Sequence, residues 1–315
     1  MADPYFANVV LLVGNDNAPD GTTTFVDQST SAKTVTGAGN VQYDTSSAPT
    51  GMTSSILCDG TGDFLTSADS TDWDYGAGDF TIEFTVNYSA LSLTTLYSQD
   101  GGAAVFAPLL WSVSFGGAGR IRIFASSTGS SWDIFNSVQT DGGVAMPTGA
   151  WVHFALVRSG TTWYQWRNGV LDWTASAAGT LMSSTNAMGL INDFQGGGGG
   201  LNGRYVSYRV TTGVARYTEP FTPSALPYEL GVTAPVADFS MTPLSGTAPL
   251  SSVGTDLSTN TPTSWLWEKN DGSGWVNFDT GSTDQNPTET FTAGTWSVRL
   301  TATNAGGADT ETKTD

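Results

Sequence analysis

The sequence is poor in the residues on which most enzyme chemistry is built. Cys58 is the only cysteine in 315 residues and His153 the only histidine. One chain can therefore form no intrachain disulfide, no Cys-rich zinc site and no His-based metal cluster. Flanked by Ile56, Leu57 and Asp59, Cys58 reads as a small buried strand residue, and His153, in an alternating run beside Trp151, reads as structural. Basic residues are scarce too: 11 Lys and Arg stand against 29 Asp and Glu, for a net charge of −18. Such a chain repels phosphate backbones and anionic membrane surfaces, which excludes nucleic acid as a partner. The ordinary role of this acidity is solubility, with binding of divalent cations or of a basic surface as the alternatives. No run approaches 18 apolar residues, and Met1-Ala2-Asp3-Pro4-Tyr5-Phe6 lacks the basic start of a secretory signal. The expectation is a soluble protein made in the cytoplasm with no membrane insertion. Long segments with apolar residues at i, i+3, i+4 and i+7 are absent as well, so helix is not expected.

What the chain does contain is β-sheet material. Gly occurs 38 times and charged residues make up only 13%, a mix suited to short strands and tight turns. Asn8 to Val13 is an apolar run fit for a first strand, followed by the turn-forming cluster Asn15 to Gly21. Phe80, Ile82, Phe84 and Val86 alternate with Thr81, Glu83 and Thr85, the pattern of a half-buried strand. Trp151 to Arg158 is apolar on both faces and predicts a central strand. Asn168-Gly169 lies between strand-like flanks, where a type I′ turn needs positive φ at both central residues. Gly196 to Gly200 reads as a flexible loop. Many short strands without crossover helices predict an all-β protein, an antiparallel two-sheet jelly-roll sandwich. Of the 11 tryptophans, most should fill the space between sheets. Trp132, Trp163 and Trp173 are the candidates for flat faces that stack on sugar rings, Trp163 and Trp173 because they flank the Asn-Gly hairpin.

Five motifs, in order, resemble a known family. They are Leu57-Cys58-Asp59-Gly60-Thr61-Gly62-Asp63-Phe64-Leu65, Phe80-Thr81-Ile82-Glu83-Phe84, Trp151 through Arg158, Asn168-Gly169-Val170, and an exit segment. The exit segment is the strand Gly203 through Val210 followed by Gly213-Val214-Ala215-Arg216-Tyr217-Thr218-Glu219-Pro220-Phe221-Thr222-Pro223. The series is similar to the laminin-G/concanavalin-A-like lectin domains of bacteriophage structural proteins and spans roughly residues 5 to 228. The resemblance implies a concanavalin A-like sandwich used for binding and particle building. It also raises calcium as the one cofactor to weigh, held at a loop rim. Asp16, Asp59 and Asp63 are the candidate ligands, although the paired acids that the family carries in the last strand are here Val206 and Ser207. No cofactor is required by the reading.

A linker, residues 229–235, follows the domain of residues 1–228. Beyond it, residues 236–315 resemble a PKD domain, an immunoglobulin-like sandwich, through Val236-Ala237-Asp238-Phe239, Gly246-Thr247-Ala248-Pro249-Leu250, Ser264-Trp265-Leu266-Trp267 and Leu300 through Gly307. Two departures stand out. Glu268 through Trp275 forms a longer hairpin than the family's aromatic-Gly-Asp-Gly turn, and the last strand is expected to leave only a short edge.

Catalysis on the concanavalin A-like fold needs two glutamates on one strand face. Glu83 is followed by Thr85 and Asn87 where the further acids should fall, and no G-x-S-x-G elbow is present. The expectation is a non-enzymatic virion structural or decoration protein on a bacteriophage capsid or tail. It would dock onto other virion proteins, with homo-oligomers open and the virion surface as its location. The alternative is a carbohydrate-binding adhesin for host or environmental glycans. A third reading, an accessory module of a polysaccharide-degrading enzyme, requires a catalytic domain that these residues do not contain.

Overall fold

The computed structural model describes residues 3–99, 106–113, 119–191, 200–231, 234–304 and 306–314. Most of the expected glycine loop, residues 196–199, lies outside the described residues. The chain divides into two compact units, Asp3–Leu230 and Gly231–Asp315. Helix among the described residues is confined to two 3₁₀ turns, Phe6–Asn8 and Thr71–Trp73.

The larger unit is a sandwich of two eight-stranded sheets. The first runs Val170–Ser176, Thr162–Arg167, Val152–Ser159, Phe80–Ala90, Asn202–Thr212, Ser55–Asp59 and Gln42–Asp44 in spatial order. The eighth strand, Val9–Val13, also pairs with Asn202–Thr212. It shares that flank with Ser55–Asp59: the former pairs with residues 208–211 and the latter with residues 202–205. The two meet at a bulge centred on Ser207, whose φ of 51° lies in the left-handed region. Ser207 N donates to Gly14 O at 2.9 Å and its hydroxyl donates to Asn15 Oδ1 at 2.8 Å, which fixes this otherwise unfavourable geometry. The second sheet runs Phe135–Gln139, Ile121–Ala125, Leu109–Val113, Thr94–Ser98, Met188–Leu190, Phe64–Ser67, Thr34–Ala38 and Phe25–Val26.

Alternation explains the core. Phe80, Ile82, Phe84 and Val86 face Phe154, Leu156, Tyr208 and Val210 from neighbouring strands and Leu96, Trp111 and Ile123 from the other sheet. Phe84 stacks on Tyr208 with ring centroids 5.1 Å apart. Val152–Ser159 is central and buried almost throughout, as its two apolar faces require.

The strand Phe80–Ala90 differs from expectation. Its polar face is buried as well: Thr81, Glu83 and Thr85 are nearly inaccessible. The cause is the segment after the last strand, residues 213–228, which doubles back over the outer face of the first sheet. There Ala215, Tyr217 and Phe221 pack on Ala155, Val157 and Trp166, with Tyr217 and Phe221 stacked at 3.7 Å. This strap crosses the Asn168-Gly169 turn, where both residues have positive φ, 49° and 76°, and Phe221 N donates to Gly169 O at 3.1 Å.

The smaller unit packs the three-stranded sheet Phe239–Thr242, Leu250–Asp256, Thr288–Phe291 against the four-stranded sheet Val276–Asn277, Ser264–Asn270, Ser297–Asn304, Gly307–Thr314. This is an immunoglobulin-like sandwich around Trp267, Phe239, Phe278, Phe291 and Leu300. The buried Trp267 places its indole N–H on Asp284 O at 2.9 Å. The last strand was expected to leave a short edge; at eight residues, paired along its whole length, it leaves a long one.

A side chain at position 169 would meet two obstacles, the positive φ and a collision of its Cβ with the Phe221 carbonyl oxygen. Gly169→Ala is therefore expected to destabilise the larger unit by roughly 3 kcal/mol. Calorimetry should show its transition shifted down and that of the smaller unit unmoved.

Candidate functional site

Beneath the strap lies a charged cluster that the sequence motifs did not reveal. Glu83 points away from the core and is fully buried. Arg209, on the adjacent strand and opposite Glu83 in register, donates to Glu83 Oε1 from Nε at 2.9 Å and from Nη2 at 2.8 Å. Tyr217 and Tyr228 donate their hydroxyls to Oε2 at 2.9 and 3.3 Å, and His153 Nε2 lies 3.0 Å from the same oxygen. Arg209 also bonds Asp3 through Nη1 at 2.9 Å and lies 3.8 Å from the Tyr228 ring centroid. Arg216 holds Asp3 with two further bonds of 3.0 and 2.9 Å.

The electrostatics follow from this packing. Burial alone would push the Glu83 carboxyl up, but the Arg209 charge, then the His153 contact and the Arg216 charge, outweigh it and hold the group well below the usual carboxylate range. Burial and the Glu83 charge push Tyr217 and Tyr228 up, so both stay protonated donors. Glu83 is thus a structural anion whose oxygens are already in use. The exit motif supplied the available clue: Arg216 and Tyr217 are polar residues in a segment otherwise suited to covering a sheet, and they require partners beneath it.

The three candidate tryptophans do not form one platform. Trp163 was expected near the surface beside its hairpin; it is fully buried. Phe80 and Phe135 meet its ring edge-on at 5.4 and 5.2 Å, and the Arg158 guanidinium lies 5.3 Å away. Its strand position places it opposite Arg158, on the inward face, and no sugar can reach it. Trp173 is half-buried and packs edge-on against Phe135 at 5.6 Å. Trp132 is also half-buried, but at a rim. Phe106 and Phe124 support it with ring centroids 5.1 and 5.3 Å away.

The loop carrying Trp132 joins Ile121–Ala125 to Phe135–Gln139 and is held by its own side chains. Asp133 Oδ1 accepts from Ser126 Oγ at 3.2 Å and Ser127 N at 2.9 Å, and Oδ2 accepts from Ser127 Oγ. Ser126 Oγ in turn accepts from Gly129 N at 2.9 Å. A supported indole on a fixed loop, beside the half-buried Ser127 and the exposed Ser130 and Asp133, can stack on an apolar ring face while offering polar groups at its border.

Of the three candidate calcium ligands, Asp63 and Asp59 serve the backbone and Asp16 a tyrosine hydroxyl. Asp63 is buried and accepts from Asn40 N at 2.7 Å through Oδ1 and from Asp59 N at 2.9 Å through Oδ2. Asp59 accepts from Thr61 N at 2.8 Å, and Asp16 accepts from the Tyr43 hydroxyl at 2.6 Å. Among the described residues, no group of three or more His, Cys, Asp or Glu side chains is placed to hold a metal ion.

Comparison with known proteins agrees with this architecture. Residues 59–215 match the family model of the concanavalin A-like lectin/glucanases superfamily, and residues 232–315 match that of the PKD domain. The chain carries a concanavalin A-like lectin domain followed by a PKD domain. Among solved structures, the botulinum neurotoxin serotype D binding domain is similar over 97% of this chain and 74% of its own, with 11% identity and a TM-score of 0.50. Domain 4 of AbnA, an extracellular arabinanase from Geobacillus stearothermophilus solved with arabinotriose, aligns with 66% of this chain and 94% of its own, at 15% identity and a TM-score of 0.49. The binding domain of Paraclostridial Mosquitocidal Protein 1 aligns over 67% of this chain at 12% identity and a TM-score of 0.49, and this chain spans only 50% of it. These likenesses concern the fold alone. No curated protein matches the sequence.

Removing Glu83 would leave Arg209 buried without its main partner, so Glu83→Gln should cost about 3–5 kcal/mol. Because the folded-state pKa of Glu83 lies below its unfolded value, its stabilisation is complete above the ordinary carboxylate range and is lost as pH falls below about 4 to 5. Urea titrations between pH 3 and 7 should therefore show a steeper acid limb for the wild type than for E83Q.

Proposed function

We propose that this chain is a non-catalytic binding and display protein of a bacteriophage particle, exposed on the capsid or tail and docked there on other virion proteins. The observation that carries the reading is the strap. The residues in which the chain resembles the phage-type sandwiches, Gly213 through Pro223, are the ones that close the outer face of the first sheet over Glu83 and Arg209. The resemblance therefore lies in residues that have an architectural task in this chain, and that is what supports the reading. The same closure supports a binding role over glycoside hydrolysis. Hydrolysis needs two accessible carboxyl groups across a glycosidic bond, and Glu83 is sealed and ion-paired.

Trp132 favours an adhesive role within that setting. Its half-open ring, braced by Phe106 and Phe124, suits a sugar whose axial hydrogens form an apolar face, with Asp133 and the loop serines as hydrogen-bonding neighbours. Neutral glycans fit better than anionic ones next to a carboxylate on a chain of net charge −18. The reading calls for no metal, since the Asp16, Asp59 and Asp63 carboxylates hold structural hydrogen bonds.

Quantitative mass spectrometry of density-purified particles from the source culture tests the first part. The chain should co-purify at a fixed ratio to the major capsid protein, and its absence from particles would overturn the virion assignment. A glycan array with the full chain tests the second. Binding to neutral glycans should survive EDTA and fall about tenfold or more in Trp132→Ala, in line with the loss of one stacking platform.

A further inference from the structure

We infer that the PKD domain closes a covalent bond of its own: an isopeptide between Lys269 Nζ and the side-chain carboxyl carbon of Asp279, formed with Glu289 as the proton carrier. The inference stands apart from the virion and glycan readings. It starts from a charged pair placed where a sandwich core ordinarily holds apolar side chains. Trp267 and Lys269 face inward from Ser264–Asn270, and Glu289 and Phe291 face inward from Thr288–Phe291 of the opposing sheet. Lys269 is 6% exposed and Glu289 2%. A buried ion pair adds little stability over well-packed apolar side chains of similar volume, so stability alone does not account for it.

The geometry suits condensation. Lys269 Nζ donates to Asp279 Oδ2 at 2.6 Å and to Glu289 Oε1 at 2.9 Å, with the Trp296 ring centroid 5.5 Å away. Both carboxyl-bearing residues are also fixed through the backbone. Glu289 Oε2 accepts from Asp279 N at 2.7 Å, and Oε1 accepts from Thr290 N at 3.0 Å. Phe278, next to Asp279, is buried with its ring 5.8 Å from Trp267 and 6.0 Å from Phe291. Nucleophile, electrophile and acid–base group thus come from separate stretches of chain and converge on one nitrogen. Well-oriented groups held in contact react as if present at roughly 10⁵–10⁸ M, which offsets the reluctance of an amine and a carboxylate to condense in water.

The proton balance closes without any other reactant. Burial pushes the Lys269 ammonium down, but its bonds to Asp279 and Glu289 outweigh this and push it up, so the resting group is charged. The first step is therefore transfer of a proton from Nζ to Glu289 Oε1, and Glu289, which also contacts the Asp279 carboxyl, passes it on to that group. The neutral amine then attacks Asp279 Cγ. Nζ gives up a second proton to Glu289, which delivers it to the departing hydroxyl. The C–O bond breaks, one water leaves, the amide remains and Glu289 ends as the carboxylate it was. Burial divides the labour: the two groups that exchange protons first are sealed, while the Asp279 side chain is 77% exposed and gives the water a direct exit. The bond closes the segment from Lys269 to Asp279 into a covalent loop. That segment holds most of the long hairpin in which this chain departs from the PKD pattern.

Mass spectrometry of the purified full chain tests the inference. The intact protein should be lighter than its sequence by the mass of one water, and a digest should yield one branched peptide joining Lys269 to Asp279. Lys269→Arg keeps the charge but cannot form the bond, and its intact mass should be that of its sequence. Glu289→Gln keeps an oxygen for Nζ but cannot relay a proton, so linkage should slow by about a hundredfold or more. Thermal unfolding would verify that each variant is folded. An intact wild-type mass with no water lost after prolonged incubation would overturn the proposal and leave Lys269 a purely structural ion pair. Loss of water that persists in K269R would overturn it too, by assigning the loss to cyclisation at an aspartate elsewhere in the chain.

Discussion

The larger domain depends on one buried ion pair. Glu83 and Arg209 sit on adjacent central strands, on the side facing away from the hydrophobic core, where neither could stand alone. Desolvating an isolated carboxylate or guanidinium costs several kcal/mol. The fold avoids this by saturating both: two tyrosine hydroxyls and a histidine on Glu83, and Asp3 and the Tyr228 ring on Arg209. Every one of those partners apart from His153 comes from a chain end of the domain. The strap and the N-terminal segment are therefore tied into place by an electrostatic demand created at the centre of the sheet. Apolar packing of Ala215, Tyr217 and Phe221 supplies area, while the charges dictate position.

Patterns confined to one strand or one turn were legible in the sequence. The alternation in Phe80–Ala90, the two apolar faces of Val152–Ser159 and the Asn168-Gly169 turn depend on local geometry, and each appears where the pattern places it. The order of motifs also sufficed to identify two sandwiches of different families. What escaped was coverage by distant segments. Glu83 looked half-exposed because nothing in its own strand says that residues 213–228 lie above it. Asp63 looked like a free carboxylate because the N–H that occupies one of its oxygens belongs to Asn40. Trp163 looked like a surface residue beside a hairpin, yet strand register assigns it to the interior opposite Arg158. Trp132 could be named from composition, but not its bracing by Phe106 and Phe124, which come from other loops and strands.

The PKD domain solves a related problem differently. Its longer hairpin does not leave polar groups adrift: Glu268 and Arg299 form paired bonds of 2.7 and 2.9 Å across the sheet, and Trp275 lies over the Arg299 guanidinium at 4.4 Å. Buried Lys269 is shared between Glu289 and Asp279. In both domains a cation is held between an acid and an aromatic ring, which allows few basic residues to organise an acidic chain.

The strap also determines how the larger domain bears load. Val9–Val13 and the end of Asn202–Thr212 are antiparallel neighbours, with Val9 beside Thr211. Were the chain to leave at Thr212, tension between its two ends would enter the ladder at one mouth and open it pair by pair. The strap instead carries the chain back to Tyr228, whose N–H and C=O are both bonded to Asn15, beyond the far end of the first strand. Tension then enters at opposite ends of Val9–Val13, and the bonds along it must fail together. A segment that in the resting molecule covers a charged pair thus turns a zipper into a shear joint, a property suited to a protein whose ends are pulled in different directions.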